Sequence, residues 1–62
     1  MTNYEIAVAI IKTAMEENKN LSLAIENDGE WIADKVCNQL EDIDPDRVWK
    51  IFGNLKRHLG LA

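Results

Sequence analysis

Asn20-Leu21-Ser22-Leu23-Ala24-Ile25-Glu26-Asn27-Asp28-Gly29-Glu30-Trp31-Ile32-Ala33 is the stretch on which the fold turns. It can be read two ways. As a short helix, Leu21, Ala24 and Ile25 point inward, and a second helix starts near Glu30, capped by Asn27 or Asp28. As a hairpin over about 21–33, Leu21, Leu23 and Ile25 alternate with Ser22, Ala24 and Glu26. Asn27-Asp28-Gly29 then supplies the turn, and Glu30-Trp31-Ile32 pairs back. Helix is favoured, because Ala24 and Ala33 are poor strand residues and only Ile25 is β-branched within 21–26.

Toward the C-terminus the helical signal strengthens. A helix over about Glu30 to Asp42 has Ile32, Val36, Leu40 and Ile43 as its apolar stripe, with Ala33 and Cys37 beside it; Trp31 lies far around the wheel. The last helix carries the clearest signals. Asp44 caps it, Pro45 occupies the first position, where its missing N–H costs nothing, and Ile43 and Val48 form a hydrophobic staple. Val48, Phe52, Leu55 and Leu59 make its core stripe, with Ile51 on the edge. Gly60 stands at the C′ position, with Leu61 placed to close a Schellman end against Leu55. Gly53 inside this helix costs about 1 kcal/mol relative to Ala, and either admits a close backbone or is neutral.

Toward the N-terminus, Thr2 with Glu5 three residues on reads as a capping box opening a helix from about Asn3 to Asn18, with Met1 and Ile6 at the staple positions. Ile6, Ala7, Ile10, Ile11 and Ala14 form one stripe. Tyr4, Val8 and Met15 widen it to about half the wheel, broader than the somewhat over 100° of a usual core face. Such an arc packs against two neighbours at once, or offers Val8, Ile11 and Met15 as the seam of a symmetric homodimer. The expected architecture is one all-α domain over residues 1–62, a bundle of three to four short helices, with an α+β fold containing the 21–33 hairpin as the alternative.

Composition narrows the function. A chain of 62 residues is at most one domain and buries roughly 60% of its unfolded surface, so stability is marginal. One cysteine, Cys37, excludes an internal disulfide, and with His58 as the one histidine the ligands for a His/Cys zinc site are too few. Asp42, Asp44 and Asp46 have the spacing that opens a calcium loop. However, the sixth and twelfth positions counted from Asp42 hold Arg47 and Gly53 instead of Gly and Glu, while helix capping accounts for Asp44 and favourable charge at a helix N-terminus for Asp46. Cys37 lies at the edge of an apolar stripe and His58 in a helix's last turn, which is not a nucleophile with its base. No enzyme, cofactor or metal is expected. The longest apolar run, Ile6–Ile11, is far short of a membrane span, and no basic leader precedes it; a lone cysteine without a targeting segment suits a reducing cytoplasm.

The net charge of −4 is unevenly spread. Residues 1–46 hold all eleven acids against Lys12, Lys19 and Lys35, a balance of −8; residues 47–62 hold Arg47, Lys50, Lys56 and Arg57 and no acid, a balance of +4. Arg47, Lys50, Asn54 and Arg57 share one face of the last helix, a solvated face or a contact for an anionic partner. Trp31 and Trp49 are both off their core stripes, Trp49 with Lys56 beside it, and Trp is enriched at interface anchors. Trp31, rimmed by Glu30 and Asp34, is the first choice as anchor. In size and charge the chain resembles the regulators and inhibitors that phages and mobile elements encode, which implies a protein partner. The alternatives are a helix-turn-helix DNA binder and a small homodimeric structural subunit. Nucleic acid is disfavoured, because the recognition helix over 30–42 would hold Lys35 alone against Glu30, Asp34, Glu41 and Asp42.

Overall fold

In the computed structural model, which describes residues 2–40 and 42–61, each helix end is set by a local hydrogen bond. Helix α1 spans Asn3–Glu17. The Glu5 N–H donates to Thr2 Oγ1 at 3.2 Å and the Thr2 N–H donates to Glu5 Oε1 at 3.0 Å, the reciprocal pair of a capping box. Helix α2 spans Leu21–Gln39 and is capped by Asn20, whose side-chain oxygen accepts from the Leu23 N–H at 3.1 Å. Helix α3 spans Pro45–His58, with Asp44 accepting from the Asp46 N–H at 3.0 Å. It ends as expected. Gly60 adopts φ 75°, the Leu61 N–H bonds the Lys56 carbonyl and the Gly60 N–H bonds the Arg57 carbonyl, the two bonds of a Schellman motif.

Residues 21–33 lie within α2, and no strand occurs among the described residues, so the hairpin alternative is not what forms. The two helices expected on either side of 27–29 run into one another across a kink, with no intervening turn. Residues 27–29 lie inside α2, where Asp28 leaves helical geometry (φ −124°, ψ 22°) and kinks it. The bundle therefore has three helices. Asn-Asp-Gly suits a turn because its residues tolerate non-helical backbone; here a single residue takes that conformation and the helix resumes. The C-terminal part of α2 stops at Gln39, earlier than the expected Asp42. Leu40 is the C-cap and Asp42 takes φ 61°, a left-handed conformation that Asp tolerates better than most residues. Met1, half of the first expected staple, and Glu41 lie outside the described residues.

All three helices touch one another around one core. Ile6, Ile10 and Ala14 enter from α1; Ala24, Ile25, Ile32, Ala33 and Val36 from α2; Val48, Ile51 and Phe52 from α3. Leu40, Ile43, Leu55, Leu59 and Leu61 pack around its margin. On α1 the core face differs from the expected stripe. Thr13 is buried there, whereas Ile11 is only partly covered and does not belong to the core cluster. A domain of this length has about 3–9 kcal/mol of stability in all. Truncating a fully buried Ile10 to Ala, at about 2–5 kcal/mol, thus removes a large share of it. No helix of the described residues is long and apolar enough to cross a membrane.

Candidate functional site

The kink in α2 and the middle of α3 meet at one point of contact. A Cβ built on Gly29 would lie 2.8 Å from Phe52 Cζ, so the ring rests almost directly on the α2 backbone. Phe52 is itself buried, and Trp49 leans edge-on against it with centroids 5.9 Å apart and planes at 78°. Such a T-shaped pair sets the positive ring edge of one aromatic against the negative face of the other. Gly53, one residue on, has no atom within 4 Å of where its Cβ would be. Of the two readings of Gly53, neutrality is the one that fits.

Around this contact a groove of about 680 Å³ opens between the kink of α2 and one side of α3. Trp31 and Trp49, singled out separately as off-stripe aromatics, both line it. They are 49% and 39% exposed. Ile25 and Phe52 contribute apolar lining, and the acids Glu26, Asp28 and Glu30 stand against Lys56 as the single cation of the lining. Lys56 Nζ lies 5.9 Å from the Phe52 ring centroid, and Lys35 Nζ lies 4.8 Å from that of Trp31, both within cation–π range. Lys35 follows Trp31 by four residues, so the two meet on one face of α2. The groove is thus an aromatic trough with a carboxylate rim.

Of the residues read as partner-binding, the groove gathers Trp31, Glu30 and Trp49 and leaves the others outside. Asp34 is exposed but is not in the lining. Arg47 is engaged elsewhere. Its Nε and Nη2 both donate to Asn3 Oδ1, at 3.1 and 2.9 Å, and tie the start of α3 to the start of α1. Arg57 donates through Nη2 to Asn54 Oδ1. Lys50 is exposed. Lys56, Arg57 and His58 fall in the last turn of α3, where positive charge complements the helix dipole. Reading residues separately missed Glu26 and Asp28 as rim residues. Glu26 and Glu30 are four residues apart, a spacing that hints at a shared face, but Asp28 carries no such signal and joins the rim through the kink.

Cys37 is partly buried, and desolvation, with the Asp34 charge adding to it, pushes its thiol pKa up. That is the opposite of what activates a cysteine nucleophile. Among the described residues no three His, Cys, Asp or Glu side chains gather to hold a metal ion. The aspartates at 44 and 46 are accounted for by the cap and first turn of α3. The chain matches no protein-family model, no curated protein sequence and no solved structure.

Proposed function

We propose that this chain is a protein-interaction module, a small acidic regulator or inhibitor that docks on another protein through the trough of Trp31 and Trp49. The observation that supports this reading is the convergence of two half-exposed tryptophans, from different helices, on one concave surface. A single tryptophan left partly in water is ordinary; two sharing a groove form an apolar patch of the kind that interfaces cover. Their exposed parts amount to roughly 200 Å². Covering them is worth about 5 kcal/mol at about 25 cal/mol per Å², before the entropic cost of association. A micromolar complex needs about 8 kcal/mol net, so the aromatics act as anchors and the rim must contribute.

The rim selects the partner's chemistry. Three carboxylates against one lysine favour a basic segment carrying an apolar or aromatic side chain, which would enter between the tryptophans while its cations meet Glu26, Asp28 and Glu30. A protein surface built to hold nucleic acid has such cations, and an acidic module seated there would block it. The test is affinity capture from the source cell with the wild-type chain, Trp31→Ala and Trp49→Ala side by side, each variant shown to be folded by circular dichroism. A specific partner should be held by the wild type, released by salt, and bound at least roughly 30-fold more weakly by Trp31→Ala, the equivalent of about 2 kcal/mol. A partner held equally well by both folded variants refutes this use of the groove.

A further inference from the structure

We infer that the cation this groove selects in its partner is an arginine, whose guanidinium stacks on the groove's aromatic rings and donates to the carboxylates beside them. The inference rests on the docking reading above and names the partner group that the site recognises. The rings are suited to a cation, because the chain's own ammonium groups already lie against them. Lys35 Nζ is 4.8 Å from the Trp31 ring centroid and Lys56 Nζ is 5.9 Å from that of Phe52. An aromatic face attracts a cation through its quadrupole, indole most strongly. Lys35 is not part of the lining, so it leaves the groove side of Trp31 to an incoming group.

The charges around the groove set where that group goes. Glu26, Asp28 and Glu30 stand in the lining against Lys56, three carboxylates to one ammonium. Just outside it on α2, Asp34 and Lys35 offset each other. On α3, Lys50 and Arg57 lie roughly 80–120° around the helix from Trp49 and Lys56, and Arg57 donates to Asn54 Oδ1. The α2 wall is therefore the negative one, and it carries Trp31 as well. Arginine answers both features at once. Its planar guanidinium stacks on an indole while its edge N–H groups stay free to donate to a carboxylate, two at a time. A lysine ammonium is a strongly hydrated point charge that does not stack. A quaternary ammonium has no N–H for the carboxylates, and at about 680 Å³ the groove is a trough and not a cage closed around one nitrogen. Lys56 is the counterweight: it competes for the Phe52 face and repels an arriving cation.

The experiment needs no partner protein. The chain has two tryptophans and both line the groove, so two indole N–H resonances report on it. N-acetyl-arginine amide, titrated at constant ionic strength, should move both saturably, with the millimolar affinity expected of a single side chain. N-acetyl-citrulline amide, nearly the same shape without the charge, should bind at least about fivefold more weakly, and N-acetyl-lysine amide at least about threefold. Glu30→Gln, at an exposed position, should weaken the arginine probe about threefold, and Lys56→Gln should strengthen it about twofold. Citrulline bound as tightly as arginine, tetramethylammonium bound more tightly, or an arginine probe that moves neither indole overturns the inference. Docking through the groove is judged separately, by Trp31-dependent capture of a partner, so a partner held through Trp31 alongside a silent arginine titration refutes the arginine and not the groove.

Discussion

Replacing Gly29 with alanine tests the contact that organises the molecule. The added Cβ would lie 2.8 Å from Phe52 Cζ, 3.4 Å from Cε1 and 3.8 Å from Cε2. Relief requires the ring to retreat by roughly 1 Å to reach ordinary van der Waals separation. Phe52 cannot swing away freely, since it is 4% exposed with Trp49 edge-on against it. Overpacking of this kind costs about 1–3 kcal/mol. Against it stands the better helix propensity of Ala, worth about 1 kcal/mol in a helix interior. The balance is a loss of about 1 kcal/mol. Gly53 provides the internal control: it lies within α3 and a Cβ there meets nothing within 4 Å, so Gly53→Ala keeps the propensity gain alone and stabilises by about 1 kcal/mol. The two variants, chemically the same substitution, should differ by about 2 kcal/mol with opposite signs. Urea titrations followed by tryptophan fluorescence at low micromolar protein would measure this. For a domain of this size the corresponding thermal midpoints should shift by roughly 4–8 °C each, downward and upward. In a double-mutant cycle, Phe52→Leu should lose much of its own cost in the Gly29→Ala background, because the smaller side chain vacates the space the new methyl needs. If Gly29→Ala proves as stable as Gly53→Ala, Phe52 does not rest on the α2 backbone and the account of the kink is wrong.

Trp31→Ala should cost the fold about 1 kcal/mol or less, since half of the side chain is already in water and the chief intramolecular loss is its cation–π contact with Lys35; a collapse of the thermal transition would mean Trp31 is core. Glu5 has its carboxyl pKa held below the ordinary value of 4.5, first by its hydrogen bond to the Thr2 backbone and then by that to the Thr2 hydroxyl. Because the folded pKa is the lower one, the capping contribution is present above about 4.5 and lost as pH falls through the depressed value, so amide shifts at the start of α1 should report fraying only in acid, and Glu5→Gln should flatten that response. Arg47→Ala removes both donors to Asn3 Oδ1 at an exposed site and should cost under about 1 kcal/mol by denaturant titration; a larger loss would make that link a principal clamp between α1 and α3. A low-salt gel shift should give no saturable, sequence-selective DNA binding below micromolar, given Glu30 and Asp34 against Lys35 on the helix that would have to enter the groove.

The ends of the helices were legible in the residues themselves. Thr2 with Glu5, Asp44 with Pro45, and Gly60 with Leu61 act through bonds that span only a few positions, so no distant partner is needed to define them. The inward stripes were equally local, since Ile32 and Val36, or Val48 and Phe52, repeat at the helical period whatever lies opposite. Asn27-Asp28-Gly29 was different. Its chemistry permits a hairpin turn, a break between helices or a kink, and among these the tertiary packing chose the kink, with the Phe52 ring settled on the Cα of Gly29 where no other residue leaves room. The same crossing placed Trp31 and Trp49 on one groove and joined Glu26 and Asp28 to its rim. Likewise, the wide apolar arc of α1 announced a surplus of hydrophobic surface, but which part is core depended on where α2 and α3 lie. Local hydrogen bonds and periodicity depend on neighbours in the chain, whereas a groove depends on the angle and depth at which two helices cross, and those follow from side-chain volumes at a contact between residues more than twenty positions apart.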